Sequence, residues 1–407
     1  MLIKTWEVNL PLPETDFYLD WRYGRLDVLV LAGDRPLAIV QLYPPAESRV
    51  IPAAQIHREV ARKLGWYAWE NTCQGQSWYV NGDAESAAAL PPISVVVCTR
   101  DRPVSLEVCL ESLARLDYPD YEVVVVDNAS RGQAVRDVIL RSGFRYVREE
   151  RAGLDWARNR GAAEARHDLI AYLDDDACAS PGWLRAISRA FTDPSVSAVT
   201  GLVLPAELET EPQMLFEEYG GMSKGIHPRI FDGRALDPHS MLSPHNCGVG
   251  ANMAFRREVL RRMDWFDTAL DVGTPSSGGG DLDMFHRIMA AGLMLRYEPS
   301  AWARHRHRRD IEGLDRQIYN NGRSFGVLLL KIWKSRSVPR KAVLAYARGW
   351  ITGWLLSRLV QRVRRKIEFP LGLIWAEISG ALSAPWAWRA TLRSDRKLRA
   401  SPAAGAE

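Results

Sequence analysis

Three apolar runs, each broken off by a polar residue, constrain the fold of this chain most. Ile93-Ser94-Val95-Val96-Val97-Cys98 stops at Thr99, Tyr121-Glu122-Val123-Val124-Val125-Val126 stops at Asp127, and Leu169-Ile170-Ala171-Tyr172-Leu173 stops at Asp174. Runs so rich in β-branched residues suit strands buried on both faces, the usual state of a parallel sheet. Helical patterns fill the gaps from Val104 to Leu116, Gln133 to Arg141 and Trp156 to Ala165, and Phe144-Arg145-Tyr146-Val147 forms a further short strand. Strands alternating with helices predict an α/β unit over residues 91–310, a mostly parallel sheet flanked by helices. Such sheets bind ligands beyond the carboxyl ends of their strands, so the polar residues that end the runs are where chemistry is expected.

The flanking regions differ in character. Residues 1–90 pair the apolar segment Asp27–Leu31 with Leu37–Leu42 across Gly33-Asp34, a hairpin signal, and continue into a helical stretch from Ala53 to Leu64. This predicts a small α+β module closed by Pro91-Pro92, whose sequence names no chemistry and leaves binding of an acceptor, of a partner or of the α/β unit as its alternatives. Residues 311–407 read as helical and basic: between Lys331 and Arg399 sixteen Lys or Arg face only Glu368, Glu377 and Asp395, among Trp333, Trp350, Trp354, Trp375, Trp386 and Trp388. Basic amphipathic helices with tryptophan lie in the membrane interface, so peripheral membrane contact is expected here. A helical subdomain packed on the catalytic unit is the alternative. No groove-reading motif accompanies the charge, which argues against nucleic acid. No run of about 18 apolar residues is present to predict a membrane-spanning helix. The first residues show no secretory pattern, and the five cysteines are scattered without a Cys-x-x-Cys pair. Both features point to a reducing, cytoplasmic setting, extending to the cytoplasmic face of the membrane.

The chemistry centres on Asp174-Asp175-Asp176. Three adjacent carboxylates repel one another, and a divalent cation relieves that cost. Oxygen ligands favour Mg²⁺ or Mn²⁺. Alternate side chains of an extended segment share a side, so Asp174 and Asp176 are expected to act together, with Asp175 facing elsewhere. A solvated acidic turn is the plainer alternative. Asp127 can bind a ribose or a base, or cap the following helix. Arg100 and Arg102 can meet phosphate or base, or lie on the surface. Arg158 opens a helix, where a cation is unfavourable unless an anion is near. Gly278-Gly279-Gly280-Asp281 suggests a mobile loop carrying a carboxylate able to act as a general base, with a helix cap as the alternative. His305 and His307 alternate on an extended segment and suggest a metal or diphosphate contact.

Taken together, in order, these segments resemble the family 2 glycosyltransferases of GT-A fold. The resemblance spans about Pro91 to Arg309 and rests on Ile93–Arg100, Val123–Asn128, Gly153–Gly161, Leu173–Asp176, Gly250–Arg256, Gly278–Asp283 and His305-Arg306-His307. It implies an inverting enzyme that moves a sugar from a nucleotide diphosphate sugar to the hydroxyl of a glycan, a lipid-linked or a small-molecule acceptor, as in cell-envelope polysaccharide synthesis. It further implies that Thr99, Arg100 and Asp127 hold the nucleoside, that Arg158 lies near the diphosphate, that Asp176, Asp174 and His305 bind Mg²⁺ or Mn²⁺, and that Asp281 is the base, with Asp283 in reserve. Gly280 departs from the family, which often has Glu before the base. A nucleotidyltransferase or a nicotinamide dehydrogenase would need a glycine-rich turn after the first run, and Cys98-Thr99-Arg100-Asp101-Arg102 has no glycine. The non-enzymatic alternative is a membrane-surface scaffold that binds nucleotide sugar without turnover.

Overall fold

The structure, a computed structural model, describes residues 2–45, 47–65 and 90–400. The N-terminal module contains β1 (Leu2–Asn9), β2 (Phe17–Tyr18), β3 (Tyr23–Ala32), β4 (Arg35–Leu42) and β5 (Val50–Ile51). The hairpin expected from sequence is β3–β4, and Gly33 turns it with a φ of +59° that most residues avoid. β1 joins β3 in parallel, and the helix Ala53–Leu64 buries Ile56 and Val60 beneath this small sheet. The module is docked firmly: Ile3 N–H donates to Leu208 O, Tyr23 Oη to Glu209, and Trp302 Nε1 to Asp34 O.

The central sheet is formed by β6 (Ile93–Thr99), β7 (Tyr121–Asn128), β8 (Arg145–Glu149), β9 (Leu169–Asp174), β10 (Ala177–Ala179), β11 (Val196–Pro205), β12 (Arg229–Asp232), β13 (Asn252–Arg256) and β14 (Met294–His305). Its order is β10-β14-β11-β13-β9-β6-β7-β8, with β12 on β14. The three apolar runs and their short companion form the all-parallel half β9-β6-β7-β8. β13 begins at the edge where β9 ends, Asn252 pairing with Leu173, so it runs antiparallel and makes the rest of the sheet mixed. Alternation along β6 feeds two cores. Val95 and Val97 pack with Leu106 and Leu110 of the helix Pro103–Leu113, while Val96 faces Ala157 and Ala162 of the helix Leu154–Glu164. Each of these valines is fully buried, worth roughly 1.5–3 kcal/mol apiece.

Behind the sheet, the helices Ile311–Ser335 and Leu371–Ala400 lie along one another. Glycines permit the close approach: a Cβ on Gly322 would stand 2.2 Å from Glu377 O, and one on Gly380 2.0 Å from Tyr319 O. Lys331 Nζ ties the pair to the α/β unit, 2.6 Å from both Asp267 and Asp283. Between them run the helix Arg340–Gly349, a π-helical segment Trp350–Leu356 and the helix Ser357–Val363. Among the described residues no helix is long and apolar enough to cross a membrane. Cys98, Cys109, Cys178 and Cys247 are free thiols, and Cys73 lies outside the described residues.

Candidate active site

Strand register assembles the acidic cluster. Asp174 is the last residue of β9, and the chain reverses through Asp175 and Asp176 into β10, whose Ala177 pairs with His305 at the end of β14. Arg306 N–H donates to Asp176 O at 2.9 Å, which locks the turn against that strand end. Asp176 Oδ1 therefore lies 3.0 Å from His305 Nε2. One ligand atom each from Asp174, Asp176 and His305 falls within 4.8 Å of the others. Two carboxylate oxygens and one imidazole nitrogen form a donor set that fits Mg²⁺ or Mn²⁺. Asp175 turns the other way, accepting from Thr99 Oγ1 at 2.7 Å and Arg102 Nη1 at 3.1 Å.

Electrostatics keep the cluster ready for a cation. Burial alone would raise the Asp176 carboxyl, but His305 and Arg102 outweigh it and hold that carboxyl well below the usual range. Burial opposes charge on His305 too, yet Asp176 raises its proton affinity overall. Burial pushes Asp175 up to about 6 despite Arg102. Behind His305 stands a polar chain: His305 Nδ1 is 3.2 Å from His307 Nδ1, and His307 Nε2 is 2.9 Å from Glu217 Oε1. His307 thus backs the ring of His305, as outer partners orient metal-binding histidines.

Asp281 lies close to this cluster. The sequence suggested a mobile loop, and the structure corrects that: Gly279 takes the left-handed conformation, the helix Gly280–Ala290 begins, and Asp281 sits in its first turn. Its Oδ2 accepts from Gly250 N–H at 2.7 Å. A Cβ on Gly250 would lie 2.8 Å from Arg158 Nη2 and 2.9 Å from Asp281 Oδ2, so the two groups meet over that glycine. Arg158 is buried, donates to Asp155 Oδ1 at 3.0 Å and lies 3.9 Å from Asp174 Oδ1. Asp283 is not a reserve base. It is buried in ion pairs with Arg287 Nε at 2.7 Å and Lys331.

The remaining sequence-selected residues are farther along the β6–β7 edge. Thr99 is buried against Asp175. Arg100 is partly exposed, 3.9 Å from Asp101. Asp127 is buried with both oxygens engaged: Oδ1 accepts from Ser130 N–H, and Oδ2 from Arg148 Nη1 at 2.7 Å and Tyr146 Oη at 3.1 Å.

Sequence reasoning missed four parts of the site. Asp155 is fully buried, and its N–H donates to Asp271 Oδ2 at 2.6 Å. Burial raises both carboxyls, and one oxygen of each has no partner among the described residues. Lys224 forms no ion pair among the described residues. Burial lowers its proton affinity more than nearby Asp281 and Glu217 raise it. Finally, Arg158, Asp174 and Asp281 open on a cavity of about 720 Å³ that also contains Lys224 and, on its other side, aromatic residues of the C-terminal helices. Only the helical spacing of Asp155 and Arg158 could have flagged any of these in advance.

The chain has a GT-A fold whose sheet gathers two carboxylates and a histidine, with an arginine and a further carboxylate beside them. It belongs to the glycosyl transferase family 2, whose pattern matches residues 94–264. Among its relatives is the pre-mycofactocin glycosyltransferase of Mycobacterium tuberculosis, 25% identical over 82% of this chain and 66% of that protein. The glucosyl-dolichyl phosphate glucuronosyltransferase of Haloferax volcanii is 28% identical over 43% of this chain and 56% of its own length. The chain thus spans somewhat less than two thirds of these first two relatives. An uncharacterized Mycobacterium tuberculosis protein is 33% identical over 68% of this chain and 88% of its own length. A mannosyltransferase from Pyrobaculum calidifontis, solved with GDP-mannose and Mn²⁺, shares the fold at 17% identity with a TM-score of 0.50, over 76% of this chain and 93% of that one.

Proposed function

We propose that the chain transfers a sugar from a nucleotide diphosphate sugar to an acceptor hydroxyl by a single, inverting displacement, with Asp281 as the base. The observation that carries this is the division of labour among the carboxylates lining the cavity. Asp174 belongs to the cation cluster, Asp271 receives the Asp155 N–H, and Glu377 accepts from Tyr219 Oη and Trp354 Nε1. Asp281 uses one oxygen on Gly250 and keeps the other for a proton, whereas the unpartnered oxygen of Asp271 belongs to a carboxyl that burial already holds toward its protonated form. A retaining route would need a second carboxylate placed as nucleophile; the others are a member of the cation cluster, a buried acid inclined to keep its proton and a glutamate holding two hydrogen bonds.

Asp174, Asp176 and His305 would hold Mg²⁺ or Mn²⁺, which stabilises charge on the leaving diphosphate when bound. Arg158 supplies a fixed positive charge to the same group, which costs no reorganisation because Asp155 already orients it. Thr99, Arg100 and Asp127 border the place for the nucleoside. The outer face of the helix Leu371–Ala400 exposes Leu371, Trp375, Leu382 and Trp386, and the basic segment Arg364-Arg365-Lys366 precedes that helix in sequence, a combination that supports contact with an anionic membrane surface.

The decisive experiment compares wild type with Asp281→Asn across nucleotide-sugar donors and Mn²⁺. The variant binds donor as tightly as wild type and loses transfer by at least about 100-fold, the usual scale of a general base. Transfer at the wild-type rate by Asp281→Asn overturns the assignment.

A further inference from the structure

The cavity beside Asp281, about 720 Å³, is lined in part by a separate stretch of chain, the C-terminal helices. Arg158, Asp174 and Asp281 line one end, whereas Thr99, Arg100 and Asp127 are not among its lining residues. It therefore extends on the acceptor side, away from the nucleoside edge. Phe325, Tyr346, Trp350 and Trp354 make the far wall. Phe325 and Trp350 meet edge to face at 5.0 Å, and Tyr346 lies 6.2 Å from Phe325.

That wall is built to keep its shape. Glu377 Oε1 accepts from both Tyr219 Oη and Trp354 Nε1 at 2.8 Å, and the Arg358 guanidinium stacks over Trp354 at 4.7 Å and Phe369 at 4.3 Å. Trp350 and Trp354 belong to the π-helical segment, a backbone form that recurs at functional sites. Gly349 and Gly353, four residues apart, also face the cavity, and a Cβ on either would meet nothing within 4 Å. The helix is thus bare between its aromatic residues, leaving a trough. Trp354 is 38% exposed and Ile351 and Leu356 are 45% and 44% exposed, so the trough continues onto an apolar outer surface.

We infer that this trough holds the apolar tail of the acceptor, so that the acceptor is amphipathic: a hydroxyl-bearing head at Asp281 and a hydrocarbon aglycone laid along Phe325, Tyr346, Trp350 and Trp354 toward the protein surface. This rests on Asp281 being the group that meets the acceptor. An oligosaccharide can stack on the rings, but the aliphatic surface onto which the trough continues, Ile351 and Leu356, offers its hydroxyls no hydrogen-bond partner. A hydrocarbon chain displaces that water and gains affinity with each methylene buried.

The test titrates the full chain with methyl, hexyl and octyl β-D-glucopyranoside below their micellar concentrations by calorimetry. Affinity rises with chain length, up to about fourfold per buried methylene, so octyl binds about tenfold or more tighter than hexyl. Gly353→Phe fills the trough and removes that dependence, with circular dichroism reporting the fold. Tyr346→Ala, which takes away wall rather than adding bulk, weakens octyl binding about tenfold. Equal affinities across the series, or octyl binding undisturbed in a folded Gly353→Phe, overturn the inference; the second result would place the alkyl chain on the outer helix surface instead. A separate arm follows release of nucleoside diphosphate from UDP-glucose and GDP-mannose by wild type with Mn²⁺. Tail-dependent binding without donor turnover would count against sugar transfer and leave the trough standing. Turnover without tail dependence would do the reverse.

Discussion

Replacing Gly280 with alanine should injure both the fold and the chemistry, and the structure sets the scale. A Cβ at position 280 would stand 1.8 Å from Asp155 Oδ2 and 2.7 Å from Leu270 O. Normal contact requires at least 3.0 Å, so the helix start and the Asp155 carboxylate must part by about 1.2 Å. Neither side gives easily. Asp155 is fully buried and holds Arg158, and the first turn of the helix is pinned through Asp281 to Gly250. Overpacking of this kind costs about 1–3 kcal/mol. Asp281 is the next residue, and a displacement of about 1 Å at a reacting group can cost about 100-fold in rate. Gly280→Ala should therefore melt several degrees below wild type and lose about two orders of magnitude in transfer. Gly372→Ala, where a Cβ meets nothing within 4 Å, should gain about 0.5–1 kcal/mol of helix stability instead. Adding Asp155→Ala to Gly280→Ala removes the clashing oxygen, so the pair should be more stable than the two single losses summed. Thermal melting and initial transfer rates on the same preparations decide the matter. A Gly280→Ala protein that melts and turns over like wild type refutes the reasoning. The same contact accounts for the departure from the family pattern: the space a glutamate would take at 280 is filled by the Asp155 carboxylate.

Further outcomes follow from the cluster, the buried acids and the outer helix. Chelation should abolish transfer and Mn²⁺ or Mg²⁺ restore it. His305→Ala should weaken Mn²⁺ binding in calorimetry, and Glu217→Gln, acting through His307, should weaken it about tenfold; unchanged Mn²⁺ affinity in both would dismiss the site. Burial outweighs Arg158 to hold the Asp155 proton up to about pH 7 in the fold, whereas an unfolded aspartate releases it near about 3.9. The folded state then binds more protons in between, so this contribution is complete below about pH 4 and fades as pH rises through about 7, by at most ~1.4 kcal/mol per pH unit. Asp155→Asn should flatten the fall in melting temperature between about pH 4 and 7, and an unaltered slope would count against a retained proton. Trp375 and Trp386 are 54% and 69% exposed, and replacing both by glutamate should abolish flotation with anionic vesicles. Flotation equal to wild type would remove the membrane assignment.

The fold was legible where a short window carries the physics. β6, β7 and β9 announce themselves because a strand buried on both faces needs an unbroken apolar run; Asp174 and His305 end strands, and Asp176 stands out as a further carboxylate in the turn just after β9. Two kinds of feature stayed hidden. Buried acids such as Asp155 and Asp271 look like ordinary surface aspartates: Asp155 has a local partner in Arg158, but the main-chain bond that joins the two acids spans over 100 positions. The glycine run before Asp281 looked flexible because sequence does not reveal that Gly279 turns left-handed to start a helix, or that Gly280 is small to clear Asp155. The C-terminal tryptophans were read as a membrane signal. Trp375 and Trp386 do face outward, but Trp350 and Trp354 turn in to line the cavity. A composition of arginines and indoles does not say which way each ring points.

The two walls of that cavity are encoded apart: the reacting end by residues before 282, most of the aromatic end by residues after 315. Lineages that exchange or remodel the last ninety residues can therefore acquire new acceptors while inheriting the donor chemistry whole. Chimeras joined after Asp310 should change acceptor without changing donor, provided the incoming segment keeps a lysine at position 331 to meet Asp267 and Asp283.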